Sequence, residues 1–176
     1  MNLIENKERI FSQVAQAMET ANRTDQVNVI AVTKYVGIDQ AKALVDTGVR
    51  HIGENRVDKF LEKYQALKDE GLTWHLIGSL QRRKVKEVIN YVDYFHALDS
   101  MKLAQEIQKR ASHPIKCFIQ VNISGEESKH GFAPEELDAL LPEMENLDNL
   151  QIVGLMTMAP FEASQDELQA IFAATH

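Results

Sequence analysis

Lys34 closes the run VNVIAVTK, in which Val27, Val29, Ile30, Ala31 and Val32 are almost continuously apolar and β-branched. Such a run reads as a strand buried on both faces, with a primary amine at its carboxyl end. Parallel α/β sheets build their ligand sites just past the carboxyl ends of their strands. An amine held there and partly shielded from water can act as a Schiff-base nucleophile toward a carbonyl. Other strand-end positions carry Glu54 and Asn55, His75 and Ser79, Asp99, Asn122, and Met156, Thr157 and Met158. Together they form a lysine ringed by neutral polar groups, methionines and few charges. That set suits an aldehyde held as an imine, with amide and imidazole groups positioning its polar atoms.

Each of these residues also has a plain structural reading. A lysine in a βα loop is more often simply solvated. His75 can be a core histidine bonded to backbone, Asn55 can cap the helix that begins at Arg56, and Met156 can be packing. A metal site is not expected, because His51, His75 and His96 lie on strands without a carboxylate at ligating spacing. Cys117 sits mid-strand in an apolar run and reads as core. The cluster Arg82, Arg83, Lys84 and Lys86 reads as a solvated helix start that could hold a phosphate.

The elements that would position these side chains alternate strictly. A leading helix over residues 2 to about 21 has Asn2 and Glu5 as a possible capping box, with Ile10, Val14 and Met18 on one face. It is expected to cap one end of the strand assembly. Strands begin near residues 27, 49, 73, 93, 115 and 151. Helices follow each strand: one from Ile38 ending at Gly48, one carrying Val57, Phe60, Leu61, Tyr64 and Leu67 and ending at Gly71, then shorter ones around Val85 and Leu103. After the strand Ile115–Ile123 comes a longer loop, SGEESKHGF, then a helix from Pro134 that Pro142 should kink or split. Ser164 and Glu167 form a capping box for the last helix. Strict βα alternation means a parallel sheet with right-handed crossovers. A doubly wound sheet lacks its glycine-rich phosphate fingerprint here, and a (β/α)₈ barrel needs eight units where this chain supplies six. Pattern alone leaves both open.

The 176 residues, 44% hydrophobic and 26% charged, have the composition of one globular domain with its own core. A net charge of −7 disfavours nucleic acid or an anionic membrane as partner, since both call for a basic surface. The single cysteine excludes a disulfide framework and suits a reducing compartment. The first residues, MNLIENKERIF, carry no signal-peptide core, and no run is long enough to span a bilayer. The expected location is the cytoplasm.

The segments AVTKY, HIGENRV, WHLIGSLQRRKV, QVNISGEESKHGF and GLMTMAP, in this order, resemble the pyridoxal phosphate homeostasis family, stand-alone relatives of the alanine racemase N-terminal barrel. The resemblance runs from about Val27 to the end. It implies an α/β fold, a TIM (β/α)₈ barrel of which about six βα units lie in this chain, with an extra N-terminal helix. It also implies a pyridoxal 5′-phosphate (PLP) cofactor held as a Schiff base on Lys34, with Asn55 and His75 around it and Met156 lining its pocket. Family members buffer or deliver PLP, so the implied partners are PLP, amino acids and PLP-accepting enzymes, with the full-length protein a monomer. The implied function is PLP homeostasis without robust catalysis. The alternative is an enzyme: a PLP-dependent racemase or lyase of the fold-type III class, or an aldolase using Lys34 directly. Two departures stand out. Arg83 replaces a frequent family asparagine, and the late segments that hold the phosphate in the family are absent. Residues 1–176 are therefore expected to be one barrel domain lacking its C-terminal portion, with strands one and six as open edges.

Overall fold

The computed structural model describes residues 2–123, 125 and 130–176. Its strands are β1 (Ala31–Val32), β2 (His51–Glu54), β3 (Thr73–Leu76), β4 (Tyr94–Leu98), β5 (Ile115–Gln120) and β6 (Leu150–Met156). All pair in parallel, in the order β1-β2-β3-β4-β5-β6, with register irregularities between Phe95 and Leu98 and between Cys117 and Phe118. The helices are α1 (Leu3–Thr20), α2 (Ile38–Asp46), α3 (Val57–Leu67), α4 (Arg82–Val88), α5 (Met101–Arg110), α6 (Leu137–Glu145) and α7 (Gln165–Thr175). This is the expected α/β alternation, laid down as part of a barrel wall in chain order, which is the arrangement right-handed crossovers produce.

Local chemistry accounts for most boundaries. Gly48 and Gly71, at φ +97° and +65°, take the left-handed turns that follow α2 and α3. Ser100 caps α5 by accepting the Leu103 N–H. Ser164 and Glu167 make the reciprocal capping box of α7. At α1 only half of the box forms: the Asn2 side chain accepts the Glu5 N–H at 3.2 Å. The loop expected after β5 falls largely at residues 124 and 126–129, which lie outside the described residues.

Period-2 alternation sorts the sheet into two faces. Ile52, Leu76, Phe95, Ile115, Cys117 and Ile119 are fully buried against the helices, together with Phe60, Leu103 and Ile107. Trp74 packs edge-on against Phe60 and Tyr64 of α3. The opposite face carries His51, His75, Tyr94, His96 and Phe118, whose rings contact one another from strand to strand. Among the described residues no helix is long and apolar enough to cross a membrane.

Three expectations need correction. The first strand is two residues long and is not buried on both faces, since Val27 and Val32 stay exposed. The reason is its place at the edge, paired with β2 alone, where no further strand covers its side chains. For the same reason β6 alternates in burial, with Val153 and Leu155 exposed. Pro142 does not split its helix: α6 runs through it to Glu145. Leu140, Leu141 and the fully buried Met144 pack this stretch onto the core, and packing outweighs one lost N–H. Finally, α1 buries no residue and so does not cap the strands. It leans on the end of α2 instead, where Lys7 Nζ donates to the Thr47 carbonyl at 2.8 Å.

Candidate functional site

The first two strand ends are tied together beneath the surface. The Thr33 N–H continues the β1–β2 ladder by donating to the Gly53 carbonyl. Its hydroxyl donates to Glu54 Oε1 at 2.5 Å, and Lys63 of α3 donates to the same oxygen at 2.5 Å and to the Thr33 carbonyl at 2.8 Å. All three residues are buried. The residues that follow Thr33 and Glu54, Lys34 and Asn55, emerge past the strand ends into a cavity.

That cavity has a volume of about 410 Å³ and lies past the carboxyl ends of β1 to β6. Lys34, Asn55, Ser79, Gln120, Asn122 and His130 supply its polar wall, and Ile77, Ala97, Val121, Met156 and Met158 its apolar wall. The β2–α3 and β3–α4 turns can close on each other because Gly78 lies directly against the Asn55 carbonyl. On the far side the Val121 N–H donates to the Met156 carbonyl and the Thr157 hydroxyl to the Val121 carbonyl. The backbone at Phe132 folds back to pair with Gln120 and Asn122, which brings His130 onto the wall. The Gln120 amide donates to the His130 carbonyl at 3.3 Å, and His130 Nδ1 is 3.7 Å from Asp99.

Lys34 is half-buried and faces the cavity with no hydrogen bond or ion pair among the described residues. Its contact is with the Tyr35 ring, 5.0 Å from the ammonium. The arrangement can therefore present a primary amine to a carbonyl carbon, with amides for polar substituents and thioethers against an apolar ring.

His75 occupies a different place. It lies one strand repeat before Ile77, outside the cavity lining, in a file of three imidazoles. His51 Nδ1 is 2.9 Å from His75 Nε2, and His75 Nδ1 is 2.8 Å from His96 Nε2. His75 also stacks on Tyr94 at 4.8 Å. Burial, with the neighbouring imidazoles His96 and His51 second, pushes His75 down to about 3, and burial pushes His96 down to about 4. Both rings are neutral at ordinary pH.

A family model described as alanine racemase, N-terminal domain, matches residues 6–175. The chain belongs to that family. Within the alanine racemase N-terminal family it is 38% identical to a pyridoxal phosphate homeostasis protein of Aquifex aeolicus, covering 98% of this chain and 77% of that one. A protein of the same description from Pseudomonas aeruginosa is 32% identical, over 97% and 76%. Among solved structures, PipY of Synechococcus elongatus with PLP bound superposes with a TM-score of 0.84 at 31% identity, covering 99% of this chain and 78% of PipY. An alanine racemase of Clostridium difficile, at 17% identity and a TM-score of 0.69, shares the fold.

In this family member the structure brings Lys34, Asn55 and Met156 to one cavity, along with Ser79, Asn122 and Met158. It does not bring Glu54, which turns to the helix side, nor Thr157, which bonds backbone. Asp99 stands behind His130. Arg83 is exposed and bonded to Gln81, away from the lining, whereas Lys84 of the same basic cluster lines a side cavity with Asn55 and Ser79. Cys117 is core, its thiol pushed up to about 12 by burial. Sequence reasoning missed Gln120 and His130. A polar residue breaking the apolar run of β5 could have pointed to Gln120, but His130 depends on the Phe132 backbone pairing with Gln120 and Asn122, which no local pattern announces.

Proposed function

We propose that this chain binds pyridoxal 5′-phosphate at Lys34 and serves to hold and deliver that cofactor. The observation that carries the reading is the Lys34 amine, half-buried on the cavity wall and without an acidic partner among the described residues. An ordinary surface lysine would be solvated, and a structural one would be paired, as Lys63 is. The residues present fit the group. Lys34 Nζ would bond its aldehyde carbon, the amides of Asn55 and Asn122 and the Ser79 hydroxyl can meet polar substituents, and Met156 and Met158 offer a soft apolar surface to a flat ring. When bound, PLP supplies an aldehyde and an electron-withdrawing ring. The protein's part is to orient the amine and shelter it from water. Pyridoxal phosphate homeostasis relatives along nearly the whole chain, and a PLP-bound PipY of the same fold, support the assignment.

The composition of the same wall supports a holding and delivery role. Lys34 and His130 are its titratable side chains among the described residues, so a lysine–carboxylate or lysine–tyrosine acid/base pair is not what these residues assemble. The partners are then PLP itself, amino acids that compete for its aldehyde, and enzymes that accept the cofactor. His130 keeps a second reading in play, an amino-acid racemase or lyase with His130 as proton carrier. The test is a visible spectrum of the chain with PLP, before and after borohydride, followed by peptide mapping. An adduct on Lys34 without turnover of an amino-acid panel supports the holding role. An adduct on another lysine overturns the site, and turnover overturns the holding role in favour of the enzyme.

A further inference from the structure

Thr33, immediately before Lys34, is held at every polar atom it has. Its N–H donates to the Gly53 carbonyl at 3.0 Å and its hydroxyl to Glu54 Oε1 at 2.5 Å. Its carbonyl accepts from the Val36 N–H at 3.1 Å and from the Lys63 ammonium at 2.8 Å. Thr33, Glu54 and Lys63 are 1%, 0% and 2% exposed. A buried ion pair is a poor stabiliser, because desolvating two charges offsets their attraction, and well-packed apolar residues often serve a fold as well or better. Among the described residues this one also leaves Glu54 Oε2 buried without a partner, a further penalty. An apolar pair could fill the volume but could not grip Thr33 at both its hydroxyl and its carbonyl. Glu54 itself immediately precedes Asn55, so one carboxylate fixes the two strand ends that carry two cavity residues.

We infer that Glu54 and Lys63 are positioning residues, whose buried pair sets the direction of Lys34 relative to Asn55. The inference rests on the reading of Lys34 as the PLP-bonding amine. Lys63 bonds the carbonyl that leads into Lys34, and Glu54 bonds both Lys63 and the Thr33 side chain, so rotation of the β1 terminus breaks two hydrogen bonds at once. Neither residue lines the cavity, and both act through Thr33.

The test compares the wild-type chain with Thr33→Val, the double variant Glu54→Leu with Lys63→Met, and a core control, Val88→Ala. The probe is PLP, trapped with borohydride and located by peptide mapping, alongside the thermal midpoint and the visible absorption maximum of the loaded protein. The double variant should melt near the wild type yet trap PLP on Lys34 at least tenfold less efficiently, with a displaced absorption maximum. Thr33→Val, which removes one hydroxyl and little volume, should lose about threefold. Val88→Ala should lower the melting point and leave both trapping and maximum unchanged. Wild-type trapping in a folded double variant, or in Thr33→Val if the double variant does not fold, overturns the positioning role. Trapping that falls with melting temperature in Val88→Ala as well also overturns it. No Lys34 adduct in the wild type overturns the reading of the site itself, and the inference with it.

Discussion

A methyl group placed on Gly78 would lie 2.1 Å from the carbonyl oxygen of Asn55, far inside van der Waals contact and against backbone that cannot yield cheaply. The β2–α3 and β3–α4 turns thus meet face to face, and this contact brings Asn55 and Ser79 to one wall. Gly78→Ala should cost on the order of 3 kcal/mol, as overpacking against backbone does. Urea unfolding would show it, and PLP retention should fall too because Asn55 is displaced. A variant of wild-type stability and retention would remove this contact from the account of the site.

Asn55→Ala deletes an amide from the cavity wall and leaves the Gly78 contact intact, since that contact uses the Asn55 backbone. PLP retention should weaken by about 1–2 kcal/mol, the worth of one hydrogen bond to a polar ligand. Dialysis of the loaded protein, followed through its visible band, measures the change. His75→Gln, outside the lining, should alter retention less, and a larger loss there would move the imidazole file into the site.

The imidazole file should make stability depend on pH in a definite direction. His75 titrates at about 3 and His96 at about 4 in the folded chain, below the ordinary 6.5, because burial penalises their charged forms. Between those values and 6.5 the unfolded chain binds more protons than the folded one, so stability rises with pH there. The contribution is complete above about pH 6.5 and is lost as the solution is acidified toward 4. Partial solvent access makes the difference between pH 7 and pH 4.5 on the order of 1–2 kcal/mol per ring, rather than the full shift. Urea midpoints for wild type and His75→Gln at the two pH values should diverge accordingly, and parallel slopes would contradict the burial argument.

Cys117 is fully buried, with its thiol pushed up to about 12. A thiol reagent should therefore modify the native chain only through opening of β5, at a rate set by unfolding. Adding denaturant should accelerate labelling steeply, and fast labelling in buffer alone would show that β5 opens locally.

Much of this fold could be read from local rules. Gly48, Gly71, Ser100 and the Ser164–Glu167 box end or begin their helices by chemistry contained within a few residues. Strict βα alternation carried the parallel sheet, because handedness and loop length leave few other ways to connect such units. The place of Lys34 on the cavity wall was legible too, since a lysine just past a β-branched run is a property of the run itself. Strand parity and neighbours decided the rest. Glu54 and Asn55 are adjacent in sequence, yet one residue of alternation sends Glu54 to Lys63 and Asn55 to the cavity. His75 lies within β3, two residues before the cavity-lining Ile77, so it joins His51 and His96 from the neighbouring strands. The apolar run Val27–Val32 reads locally as a buried strand, but burial depends on which strand lies alongside. Such facts are relations between segments tens of residues apart, and side-chain type along a single segment does not contain them.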